Sequence, residues 1–94
     1  MRVRFSDIAL GDLEGIALYI GRGSEDAARR VINRIEETCF SLREFSGLGL
    51  LSEIPPARKL FIPGLPYKIV YEIKRRIAVV VILRVYHEAR NTEY

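Results

Sequence analysis

A chain of 94 residues is one domain by size, and 49% hydrophobic and 29% charged residues with only 7 Gly and 4 Pro exclude disordered and collagen-like classes. One cysteine, Cys39, rules out an internal disulfide, and one histidine, His87, leaves too few soft ligands for a structural zinc site, so a reducing cytoplasm and no metal or other cofactor are expected. The longest apolar run, residues 77 to 83, falls far short of the roughly 20 residues a spanning helix needs, and Asp7 and Asp12 interrupt any export signal.

Arg2-Val3-Arg4-Phe5 alternates polar and apolar residues, the pattern of a short half-buried strand. Ser6 then reads as a helix N-cap, with Asp7 suited to the positive end of the helix dipole. Ala9, Leu13, Ile16 and Ile20, widened by Ala17, form one apolar stripe that ends at Gly21 and Gly23. Ser24 caps a second helix with Glu25 and Asp26 in its first turn. Its stripe is Ala28, Ile32, Ile35, Cys39 and Leu42, and Gly47 and Gly49 stop it. The two stripes predict an antiparallel helix hairpin over residues 6 to 46.

Residues 50 to 56 read as a loop stiffened by Pro55-Pro56. Three extended runs follow, at residues 58 to 62, 67 to 73 and 77 to 86, separated by a Pro63-Gly64 turn and the polar connector Lys74-Arg75-Arg76. The expected fold is α+β, with a strand, a helix hairpin and a three-stranded antiparallel meander. The helices lie on one sheet face, the first strand joins the sheet, and residues 1 to 94 form a single domain.

Directly paired residues face the same side, so connector length sets the register. A three-residue connector pairs Ile73 with Ile77 and puts Tyr67, Ile69, Tyr71 and Ile73 with Val79, Val81, Leu83 and Val85 on one uncharged face beneath the helices. The opposite face would carry Lys68, Val70 and Glu72 beside Ala78, Val80, Ile82, Arg84 and Tyr86. One hairpin covers one face, so this apolar floor with a charged rim is expected to be open and to bind a partner. Charge is uneven too. Residues 1 to 56 carry 7 basic and 9 acidic side chains, residues 57 to 94 carry 8 basic and 3 acidic, and a basic half attracts an anionic protein or a nucleic acid.

Asp12-Leu13 with Ile16 and Tyr19-Ile20, then Phe45-Ser46-Gly47-Leu48-Gly49, Leu65-Pro66-Tyr67-Lys68-Ile69-Val70-Tyr71, and Val81-Ile82-Leu83-Arg84-Val85-Tyr86-His87-Glu88-Ala89-Arg90 follow in order along the chain. Together they resemble the RelE/ParE toxin superfamily over nearly its whole length. The resemblance implies a toxin of a type II toxin–antitoxin module, of the kind often described as plasmid stabilization proteins, neutralised by a cognate antitoxin. RelE-like members imply a ribosome-dependent ribonuclease acting on mRNA, and ParE-like members a binding inhibitor of DNA gyrase. The leucine-arginine pair followed by a histidine and then an arginine looks like the ParE version, whereas the four-residue separation of Arg90 and Tyr94 resembles RelE-like tails.

Cleavage at a 2'-hydroxyl needs a base, a cation for the phosphorane and an acid. The ribonuclease alternative would draw these from Arg84, His87, Arg90 and Tyr94. Arg58 and Lys59 alternate to opposite faces, so the cationic cluster is thin and a gyrase-binding toxin is expected instead. Its contact surface, for target or antitoxin, would include Arg58, Val70, Val80, Ile82, Arg84, Tyr86 and Arg90. A relative without toxicity that only forms a complex is the third reading. Cys39 lies on a helix seam and reads as a buried inert thiol.

Overall fold

The computed structural model describes residues 1–89. Along the chain come β1 (Arg2–Phe5), α1 (Asp7–Gly21), α2 (Glu25–Ser41), β2 (Leu50–Leu51), β3 (Arg58–Phe61), β4 (Tyr67–Lys74), a 3-10 turn (Arg75–Ile77) and β5 (Val79–His87). Both helices start where the serines place them. Ser6 Oγ accepts the Ala9 N–H at 3.0 Å and Ser24 Oγ accepts the Ala27 N–H at 3.1 Å, each satisfying one orphan donor. The α2 stripe is buried at Ala28, Ile35 and Cys39 and continues to Leu42, although the helix itself ends at Ser41, before the expected limit at residue 46. No helix among the described residues is long and apolar enough to cross a membrane.

The five strands form one sheet in the order β1-β5-β4-β3-β2. The β3-β4-β5 meander is antiparallel as expected, and β1 lies parallel to β5 at one edge. The loop reading of residues 50 to 56 is corrected at its start, since Leu50 and Leu51 pair with Lys59 and Arg58 as a short edge strand. Gly49 just before it is fixed by close approach. A Cβ there would stand 2.7 Å from the Lys59 carbonyl oxygen and 2.8 Å from Tyr71, whose hydroxyl accepts the Gly49 N–H at 2.8 Å and donates to the Ser46 carbonyl at 2.7 Å. Gly49 thus seats the loop on Tyr71. On the far side of the sheet's short hairpin, Arg34 of α2 donates to the Pro63 carbonyl in the β3–β4 turn.

The β4–β5 register departs from expectation in two steps that add in offset and cancel only in which face a residue takes. Lys74 pairs with Val79 across a four-residue connector that ends at Ala78, which has φ +54°. Tyr71 therefore pairs with Ile82, and Ile73 with Val80. Between Val70 and Tyr71 the ladder then slips by one residue, leaving Leu83 as the extra residue of a β-bulge, so Val70 pairs with Arg84 and Ile69 with Val85. The bulge restores the predicted parity for Arg84 and Tyr86 but not for the residues before it. Val80 and Ile82, expected on the open face, are instead fully buried beneath the helices. They share one core with Ala9, Leu13, Ile35, Cys39 and Leu42 from the helix side and with Tyr67, Ile69 and Tyr71 from β4. The expectation that Val81 and Leu83 would lie beneath the helices fails for the same reason, and both are half-buried outside that core.

The other sheet face is also not the open floor expected. Val70 and Tyr86 are buried there with Ala57 in a second small cluster, flanked by Leu83, and Lys68 is buried beside them. The chain leading into β3 brings Ala57 onto this face, a packing that no periodicity announces.

Candidate functional site

Of the residues singled out for chemistry, Arg84 and His87 lie on the C-terminal half of β5, where β1 no longer flanks it. β1 pairs with β5 only as far as Phe5 opposite Ile82, after which the Ser6 N–H donates to the Ile82 carbonyl at 2.9 Å and Ser6 Oγ donates to the Leu83 carbonyl at 2.9 Å. From there α1 runs beside the strand. Asp12 on α1 accepts Arg84 Nε at 2.9 Å and Arg84 Nη2 at 3.1 Å through its two oxygens, and its Oδ2 also accepts the Val85 N–H at 2.9 Å. This is a two-pronged, charge-assisted clamp with side chains only 23% and 13% exposed. The Arg84 guanidinium also lies 4.5 Å from the centre of the Tyr86 ring.

His87 goes the other way. It pairs with Tyr67, on the helix side of the sheet, and the two rings meet edge to face at 5.5 Å. Its Nδ1 accepts the Ala89 N–H at 3.1 Å, which places the proton of the neutral ring on Nε2. Strand alternation thus separates His87 from Arg84, and the imidazole and this guanidinium do not converge. The Tyr67 hydroxyl is no better placed for proton transfer, since burial, with a smaller push from Tyr19, raises it above the usual phenol range. Arg58 is committed to structure as well, donating to the Gly49 carbonyl at 2.8 Å. Val80 and Ile82 are fully buried and present nothing to a partner, while Val70 and Tyr86 belong to the second cluster. Arg90 and Tyr94 lie outside the described residues.

Beside His87 a groove of about 440 Å³ runs between α1 and the end of β5, lined by Gly11, Gly15, Ile16, Tyr19, Tyr67 and His87 among others. A Cβ at Gly11 or Gly15 would meet nothing within 4 Å, so both glycines leave the helix backbone accessible. Tyr19, one turn further, is 72% exposed. Asp12 and this groove were not among the expected site residues. The signal for Asp12 was an acid on the buried side of an otherwise apolar helix stripe, next to Leu13. Cys39 is fully buried, and burial, with a smaller push from Glu36, raises its thiol to about 12, so it stays protonated and unreactive.

The family described as ParE toxin of type II toxin-antitoxin system, parDE, matches residues 3–92. A curated protein of Sinorhizobium fredii whose name assigns it as a toxin, Y4kP, is 31% identical over 87 residues, covering 93% of this chain and 91% of that protein. Among solved structures, a chain of the chromosomal ParDE system of P. aeruginosa superposes with a TM-score of 0.80 at 24% identity, covering 93% of this chain and 95% of that one. A chain of the RelBE2 toxin–antitoxin complex of Mycobacterium tuberculosis gives 0.66 at 28% identity, covering 92% and 95%. The isolated E. coli RelE toxin gives 0.70 at 18% identity, covering 96% and 86%, a likeness of fold.

Proposed function

The chain belongs to the ParE toxin family of type II toxin–antitoxin systems, and from that premise we propose that it acts as a binding inhibitor of DNA gyrase, neutralised by a cognate antitoxin. The observation that carries this reading is the Arg84–Asp12 clamp. A ribonuclease would present that cation to a phosphorane beside an acid or base, whereas here it fastens β5 to α1 and His87 stands on the other side of the strand. Surface recognition requires no such convergence. Gyrase supercoiling and cleavage of ribosome-bound message, measured side by side with one preparation, test the reading: inhibited supercoiling with intact message supports it, and cleaved message with normal supercoiling overturns it.

The groove along α1 is proposed as a seat for an antitoxin segment. Gly11 and Gly15 open the helix surface and exposed Tyr19 offers a rigid aromatic anchor. Gly15→Ala is expected to raise stability by about 0.5–1 kcal/mol, because the new methyl meets nothing and alanine favours helix. Gly15→Leu would fill the groove and weaken antitoxin binding at least tenfold in a titration, with the melting temperature kept. Unchanged affinity would move the antitoxin elsewhere.

A further inference from the structure

The arginines at the opposite end of the sheet have no such commitments. Arg2 and Arg4 sit on β1 opposite Val79 and Val81, on the side away from the core that Val3 and Phe5 join. Arg75 and Arg76 form the turn that delivers Ala78, whose carbonyl accepts the Arg2 N–H at 3.0 Å. Fold topology therefore gathers four exposed arginines at one corner from two distant parts of the chain. None of the four side chains has a hydrogen bond or ion pair among the described residues. By contrast Arg84 holds Asp12, Arg58 holds Gly49, Lys59 holds Glu53 at 2.6 Å and Lys74 holds Glu72 at 2.7 Å. Glu72 pairs with Val81 on the same face as Arg4, and Lys74 already occupies that carboxylate.

We propose that this corner, Arg2, Arg4, Arg75 and Arg76, binds the phosphate backbone of duplex DNA. Alternate residues of a strand stand about 6.6 Å apart, on the order of the through-space separation of neighbouring phosphates on one strand, which helical winding makes about twice the roughly 3.4 Å rise per nucleotide. Arginine suits this task, since its planar fork matches phosphate oxygens and is weakly hydrated. An acidic protein is the less favoured occupant. A protein interface needs an apolar centre, and among the described residues this corner exposes only Ile77 beside the turn and Met1 beside Arg2 as large apolar side chains. Such contacts carry no base sequence, so the binding is expected to be sequence-independent.

DNA binding here does not depend on the gyrase reading, because the probe is naked DNA. Fluorescence anisotropy of the full chain with a labelled random-sequence duplex would show affinity falling about 100-fold between about 50 and 200 mM salt, the slope expected for four phosphate contacts. Replacing all four by glutamine (Arg2→Gln, Arg4→Gln, Arg75→Gln, Arg76→Gln) should flatten that dependence and weaken binding at low salt by at least tenfold. The all-lysine replacement should retain most of it, which separates lost charge from lost fold. Salt-insensitive binding, or equal affinity in the glutamine variant, would overturn the proposal. So would a polyglutamate competitor that binds more tightly than the duplex, or a glutamine variant that loses only solubility, which would assign the arginines to protection of the β1 edge.

Discussion

The two halves of β5 are held by different kinds of neighbour. From Val79 to Ile82 the strand runs between β4 and β1, with backbone on both sides and Val80 and Ile82 sealed beneath the helices. Beyond the bulge at Leu83 the place of β1 is taken by α1, whose N-cap Ser6 and Asp12 side chains satisfy the Leu83 carbonyl and the Val85 N–H. A helix can thus close a sheet edge with two polar side chains. The same exchange of neighbours explains why the groove lies beside the irregular half, where α1 rather than β1 flanks the strand.

Substitutions at adjacent residues of the regular half probe this contrast hardest. Ile82→Ala should cost about 2–5 kcal/mol in denaturant unfolding, and Val81→Ala, half-buried on the opposite side, under about 1 kcal/mol. A larger loss at Val81 would restore the unbulged register. In the irregular half, Asp12→Ala should cost about 1.5–3 kcal/mol by leaving Arg84 and the Val85 N–H without this acceptor. Adding Arg84→Met to it should recover part of that loss, and strict additivity in the double-mutant cycle would mean that the clamp carries no coupling. The smallest effect is at the turn. Ala78→Gly relieves the left-handed conformation at φ +54° and should add about 0.5–1 kcal/mol, read as a raised melting temperature.

Much of this architecture was legible because helical stripes and caps are local. Ser6, Ser24 and the stripe ending at Leu42 follow from spacing and side-chain chemistry alone. The register of β5 was not legible for a physical reason: residues 77 to 83 are apolar throughout, so either parity offers an apolar face and a bulge leaves no trace in composition. The role of Gly49 was similarly hidden, since a helix stop and a close approach to Tyr71 call for the same residue. Arg84 stood out as a residue of interest, but its partner Asp12 lies 72 positions away.

If this toxin acts by binding, no proton transfer is asked of His87, and the decisive experiment is inhibition of gyrase supercoiling by the His87→Ala chain, with folding checked by thermal melting. The half-inhibitory concentration should stay within about twofold of that of the unmodified chain. A folded His87→Ala chain whose inhibition is weaker by about 100-fold or more, the scale of a lost general acid or base, would contradict action by binding alone.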